Sequence, residues 1–430
     1  MLRKTIILCL LLAILAPIFL LTQLVDSQPL VQQSRTPDIV DAQKTKFLLK
    51  RSWEVLKQNR RAELAVKVDD LNAAVAFVSR GASFLSGHFS LEQQKLTGNL
   101  SIKIPKTPLG EYINFSAQVL PSDAGLEVES CRIGRLKIPG AFALLLVQKS
   151  IDLLADEQLG SQLLETIEKV SFSQDRLFVT FSSGTHFGTL KNRLLARVKE
   201  FKTNQDSDLE LEQIQFYLQH LEATNQFRAG EPISLARILA PLFQQAEQRS
   251  LTTSAVDENR AALYALAIYL GGQDFRKLAK YLLSPEESFS RNRRVRYVLA
   301  ERRDLVKHFL VSAGLKLMSD SQMGFAVGEF KELLDANEGG SGFSFIDLAA
   351  DRSGVRFAES ATESQQSAAR FQQLISAITQ EDAFFPKFRD LEEGLNQRNF
   401  IDRYGNVDSQ RYREIVELID QRLSRLPLYQ

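Results

Sequence analysis

Cysteine is nearly missing from this chain: 430 residues contain two, Cys9 and Cys131. Cys9 lies inside an N-terminal apolar run, so no disulfide between the two is expected, and neither a CxxC nor a Cys/His zinc spacing occurs. The residues before Cys9, "TIILC", lack the small side chains that precede a lipid-modified cysteine, which argues against covalent lipid. A charge excess is missing too. With 53 basic and 52 acidic residues the chain has no long-range field to draw it onto nucleic acid, so no nucleic-acid partner is expected. GxSxG, Walker A, HExxH and SxxK motifs are all absent, which removes the familiar hydrolase and nucleotide-binding mechanisms. No repeat of solenoid length is found.

What the chain does have begins at its N-terminus. Arg3 and Lys4 precede an uncharged stretch from Thr5 to Val25. A helix crossing the hydrocarbon core needs about 20 such residues. Asp26, Asp38 and Asp41 outnumber the lone Arg35 just after the run. By the positive-inside rule the N-terminus stays in the cytoplasm and the rest is exported. Two readings of the run compete, a retained anchor and a signal peptide cut after "VDS". The expected address is a bacterial inner membrane, single-pass, with the bulk of the chain periplasmic. The inner membrane is then the first partner, reached through the N-terminal helix, with a lipid or an envelope protein as a further one.

At about 150 residues per domain, the length suggests two or three domains. The expected division is an anchor or signal peptide at 1–25, a polar stalk with Pro29 and Pro37 at 26–43, an α+β domain at 44–190 and a mainly helical domain at 191–430. In the α+β domain "LTGNLSIKI", "EYINFSAQVL", "GLEVESCRIGRLKI" and "DRLFVTF" alternate with period two. Helical stretches, "VDDLNAAVAFVSRG" and the segment from "AFALLLV" to "TIEKV", flank these strands, so the fold class is α+β on an antiparallel sheet. After Lys191 the apolar spacing is helical, as in "LARVKEF", "LELEQIQFYLQHLEA", "SLARILAPLFQQAEQ" and "DENRAALYALAIYLGG".

The order of a helix carrying Leu71 and Asn72 followed by long strands resembles small extracytoplasmic domains of the YpmS and tubular lipid-binding type. That resemblance implies a curved sheet wrapped on a helix, with an apolar groove able to carry an acyl chain. The residues themselves allow the plainer reading that Ile113, Phe115, Val119, Leu126, Val128 and Ile138 fill an ordinary core.

The densest chemistry lies between residues 304 and 357. In "DLVKHFLVSAG" helical spacing sets Asp304, His308 and Ser312 on one face, where Asp304 is placed to fix the imidazole tautomer. In "GEFKELLDANEGG" Glu329, Glu332 and Asp335 follow one another at about a turn, with Lys331 spaced to pair with Asp335. Ser344 reads as the N-cap of "FIDLAADRSGVRF", where Asp347, Asp351 and Gly354 share a stripe and Ala350 and Gly354 leave room for close helix contact.

Asp304, His308 and Phe309, the Ser312–Ala313 pair, Lys331, Glu332 and Asp335, then Gly340 to Ser344 and Asp347, Leu348, Asp351 and Gly354 resemble the YfiM-like family of periplasmic lipoproteins. The resemblance implies an envelope address but no reaction, and this chain departs from it in length and in lacking a lipid-acceptor motif.

His308, Asp304, Glu332, Asp335, Asp347 and Asp351 are therefore the candidate site. They form either a polar pocket for acid/base work or metal binding, or a buried network paired with Arg302, Lys331 or Arg352. No cofactor is assigned from the sequence; a divalent metal is one occupant the set admits, although one imidazole among carboxylates does not select which. The arginines of "SRNRRVRYVLAERR" read as a solvated face or as a contact for anionic lipid. The expected function is a membrane-anchored envelope module that binds or scaffolds. The alternatives are an envelope enzyme acting through the His/carboxylate pocket on a lipid or peptidoglycan-related substrate, and a lipid carrier built on the α+β domain.

Overall fold

A computed structural model describes residues 22–32, 35–57, 60–154, 159–182, 207–224, 227, 230–272, 295–318, 329–337 and 340–430. The chain divides into two compact units, residues 1–197 and 198–430. The first unit is antiparallel sheet with helices and the second mainly helical, an α+β chain. The apolar run read as an anchor lies outside the described residues as far as residue 21, and so do "LARVKEF" and Arg291, Arg293 and Arg294. Among the described residues no helix is long and apolar enough to cross a membrane.

The first unit opens with β1 (Val25–Asp26), α1 (Ile39–Lys57), β2 (Ala62–Lys67) and α2 (Val68–Gly81). It continues with β3 (Leu85–Glu92), β4 (Lys95–Thr107), β5 (Gly110–Leu120), β6 (Glu127–Ile133) and β7 (Leu136–Pro139). Then come α3 (Gly140–Leu154), α4 (Leu159–Glu165), β8 (Ile167–Ser173) and β9 (Arg176–Phe181). β3 to β7 form a meander in sequence order, with β1 added against β5, and β2, β9 and β8 form a second antiparallel sheet. Asn72 of α2 clips the helix to β3, donating to the Phe89 carbonyl at 2.9 Å and accepting the Phe89 N–H at 2.7 Å. Leu96, Val170 and Phe172 lie at the centre of a core against which Val119 and Leu126 pack, while Ile113, Phe115, Val128 and Ile138 are half-buried outside that cluster.

Two local readings need correction. Residues 26–43 are not a free stalk: β1 pairs with β5, the N–H groups of Leu30 and Val31 donate to Asn114 and Ser101 at 2.9 and 3.0 Å, and α1 begins at Ile39. Polar side chains hold this segment, so no apolar periodicity announces it. The helix expected to continue to Val170 ends at Glu165, and Ile167–Ser173 pairs with β9 as a strand.

The second unit runs through α5 (Ser207–Thr224), β10 (Pro232–Ser234), α6 (Ala236–Arg249), α7 (Ala255–Leu270), β11 (Arg296–Val298) and α8 (Arg303–Met318). Helical residues 329–335 follow as α9, then α10 (Phe345–Thr362), α11 (Gln365–Ser376), α12 (Gln397–Tyr404) and α13 (Gln410–Ser424). Side chains of Ser254, Ser344, Ser364, Asn396 and Ser409 cap five of these helices, each satisfying an N–H that the first turn leaves open. α7 is buried on nearly every side and α10 on most, which explains their alanine-rich sequences. Phe243, Phe309, Phe357, Phe371 and Phe384 meet edge to face with centroids 4.9 to 6.1 Å apart, locking α6, α8, α10 and α11 around one aromatic core.

Candidate functional site

Three segments distant in sequence bring the site together. α8 and α10 cross at Gly354, where an added Cβ would fall 2.0 Å from the Phe309 carbonyl oxygen. Only glycine allows the two backbones to come so close, and the approach sets His308 of α8 opposite Asp351 of α10. The Ser344 hydroxyl caps α10 by accepting the Asp347 N–H at 3.0 Å, which fixes the first turn carrying Asp347. α9 is tied to the same place: the Ser344 N–H donates to Glu332 Oε2 at 3.1 Å and the Gly342 N–H to the Asp335 carbonyl at 2.7 Å.

His308 is buried at the centre. Its Nδ1 lies 3.1 Å from Asp351 Oδ1 and 4.0 Å from Glu332 Oε1, and its Nε2 lies 3.3 Å from Asp347 Oδ2. Protonated, the ring donates to Asp351 and Asp347 together; neutral at Nε2, it accepts from Lys331, whose Nζ is 3.3 Å away. Lys331 also donates to Glu332 at 3.2 Å and to Asp335 at 2.8 Å. The Ser312 hydroxyl donates to Asp351 Oδ1 at 2.8 Å. Among the described residues two carboxylate oxygens, Asp347 Oδ1 and Asp351 Oδ2, are buried without a hydrogen-bond partner, although Arg302 stands 3.5 Å from the first.

Burial disfavours the imidazolium of His308, yet the Asp351 and Asp347 carboxylates outweigh it and raise the pKa to about 9. Burial pushes the Glu332 carboxyl up to about 8 against the pull of Lys331, and raises Asp347 against His308 and Lys331. Proton-holding groups therefore crowd one buried point.

The cluster borders an open cleft of about 710 Å³ lined by Arg302, Asp304, Lys307, Ser341, Glu393 and Gly394 among others. The turn before α8 shapes this rim: Ala300 and Glu301 both have positive φ, 51° and 67°, and the Ala300 N–H is held by Glu381 at 2.5 Å. That turn aims Arg302 at Asp304, Glu393 and Asp347, 2.6, 2.5 and 3.5 Å away.

Of the six residues expected at the site, His308, Glu332, Asp347 and Asp351 converge. Asp335 stands one contact away, on the far side of Lys331. Asp304 does not orient the imidazole: it faces Arg302 on the exposed rim, and Asp351 and Asp347 take the role assigned to it. Helical spacing set Asp304 and His308 on one face, but Arg302, two residues away, captures the carboxylate. Arg352 pairs with Asp420. Glu329 accepts from the Tyr412 hydroxyl at 2.8 Å. Sequence reasoning missed the reach of Lys331 to His308, and Glu393 and Gly394 on the rim, because those contacts join segments with no shared periodicity.

His308, Glu332 and Asp351 each offer one ligand atom within 4.8 Å of the others. Donors about 2.1 Å from one ion stand roughly 3.0 to 3.4 Å apart at octahedral or tetrahedral angles. The 3.1 Å between His308 and Asp351 meets that, and the 4.0 Å to Glu332 requires a small inward shift. Fold and cluster together define a two-unit α+β chain with a buried His–carboxylate centre in its helical unit. No family model, curated protein or solved structure matches it.

Proposed function

We propose that the chain is a membrane-anchored cell-envelope protein whose helical unit is a binding module for a divalent cation held by His308, Glu332 and Asp351. One observation carries the cation reading: a histidine and two carboxylates converge at a buried point beside an open cleft, and Asp351 Oδ2 has no hydrogen-bond partner among the described residues. A buried carboxylate oxygen left unpaired is costly, and a metal ion relieves that cost. The envelope address is supported by the uncharged run from Thr5 to Val25 with its basic leading flank, and by the YfiM-like order of residues 304–357.

Calorimetric titration of the chelator-treated full chain with Mn²⁺ and Zn²⁺ tests the reading. One ion per chain is expected, with a rise in melting temperature on binding. His308→Ala and Asp351→Asn should each abolish it. Absence of saturable binding in the wild type, or unchanged binding in both variants, would sink the assignment.

A second reading, an envelope enzyme, is favoured by one feature: two of the buried groups, His308 and Glu332, hold protons with pKa values of about 9 and 8 beside the cleft. Groups poised in that range suit acid/base work on a lipid or peptidoglycan-related substrate.

A further inference from the structure

We propose that the outer face of α3 rests on the surface of the bilayer entered by the apolar run that precedes β1, its apolar side chains lying in the interfacial layer. This inference rests on the reading of that N-terminal run as a membrane anchor and is independent of the cation site.

α3 is built inside out for a helix facing water. Phe142, Leu145, Leu146 and Lys149 recur at i, i+3, i+4 and i+7 and so share one face. Phe142 is 51 % exposed, Leu145 45 % and Leu146 39 %. On the inward side Ala143 is buried and Gln148 donates to Ser161 of α4 at 2.7 Å. A helix on a water-facing surface normally turns its polar side outward. The one cation on this face, Lys149, has a stem long enough to lie along the apolar surface while its ammonium reaches the head groups. The nearby carboxylate, Asp152, is largely covered: it accepts the Gly160 N–H at 2.7 Å through Oδ1, and its Oδ2 stands 3.6 Å from Lys149.

Position in the fold assigns the face to lipid. The apolar run ends at Val25, where β1 pairs with Ile113 of β5, and the Gln23 carbonyl accepts the Arg135 N–H at 2.8 Å. The chain thus leaves the run at the turn between β6 and β7. β7 has four residues, a length of about 13 Å. α3 starts at the next residue, Gly140, so close to β6 that a Cβ there would meet the Val128 carbonyl oxygen at 1.5 Å. The apolar face is therefore fixed within a helix length of the point where the anchor emerges. Arg132 and Lys137 are exposed on the same hairpin and can meet anionic head groups, while Arg135 stands 3.8 Å from Asp26 and Glu127 and Glu129 are exposed on β6.

The test uses the full chain with its one tryptophan removed, Trp53→Phe, reconstituted in vesicles of phosphatidylcholine and phosphatidylglycerol with brominated acyl chains. Phe142→Trp and, separately, Leu146→Trp should lose several-fold more emission to bromine than Ile401→Trp, an exposed control in the helical unit. Quenching equal to the control overturns the docking of α3. A blue-shifted but unquenched reporter puts protein against the face and overturns it as well. Alkaline extraction separates the two readings: release of the chain from the vesicles defeats the anchor itself, whereas retention without quenching defeats only α3.

Discussion

At the scale of single residues the position that decides how the site behaves is Lys331. Its ammonium lies 3.3 Å from His308 Nε2 and 3.2 Å from Glu332 Oε1, so it already supplies positive charge where a metal would. A divalent ion entering the cluster must displace it toward Asp335, which accepts from it at 2.8 Å. Lys331→Met keeps the stem and removes the competing charge. Its affinity for Mn²⁺ or Zn²⁺ should rise by about tenfold or more, equivalent to about 1.4 kcal/mol per decade. Parallel titrations of the two chains check this, and equal or weaker binding by the variant would show that Lys331 does not compete. The apo variant should also melt earlier than wild type, because Glu332 stays buried with one cation fewer. Local spacing made the Lys331–Asp335 pair readable in the sequence, since both lie on one helix. The contact with His308 was not readable, because it depends on how α9 packs against α8.

At the scale of elements the site depends on the crossing of α8 and α10. Gly354→Ala would drive a methyl group to 2.0 Å from the Phe309 carbonyl oxygen, and backbone cannot yield as a side chain does. α10 must then retreat, and Asp351, three residues earlier on the same helix, moves away from His308. Overpacking of this kind costs about 1–3 kcal/mol. For a unit of this size that corresponds to a fall in melting temperature of roughly 2–4 °C per kcal/mol. Cation affinity should fall in step, which titration measures; an unchanged melting temperature would contradict the close crossing. Most elements here were legible from pattern alone, including α2, β4, β5, the alternating stretch that holds β6 and β7, and α5 to α7. The small residues Ala350 and Gly354 also stood out as a contact stripe. Segments held by side-chain hydrogen bonds rather than by apolar burial were not legible. β1 and residues 28–31 owe their place to Asn114 and Ser101, and β8 owes its strand state to pairing with β9 despite a helical spacing.

At the scale of the whole molecule the buried protons link the site to stability. The folded pKa of His308 is about 9 against an ordinary 6.5, and that of Glu332 about 8 against 4.5. Both are raised, so between those limits the folded chain holds more protons than the unfolded one. The slope of unfolding free energy with pH follows the difference in bound protons, unfolded minus folded, and is therefore negative. For His308 the stabilisation is complete below 6.5 and is lost as pH climbs through about 9; for Glu332 the penalty of burying a charge grows from 4.5 and is complete above about 8. The metal-free protein should accordingly melt at lower temperature as pH rises from about 6 to 9, most steeply between 6.5 and 8, where both groups are protonated in the fold and deprotonated in the unfolded chain. A bound divalent cation reverses the trend, because its ligands must be deprotonated and its grip tightens with pH. Apo and cation-loaded melting curves should thus separate progressively toward alkaline pH, with proton release on titration, and His308→Gln should flatten the apo profile above pH 6.5. An apo melting temperature that held constant or rose across that interval would mean that His308 and Glu332 do not keep their protons in the fold, and the linkage of the cluster to stability would fail.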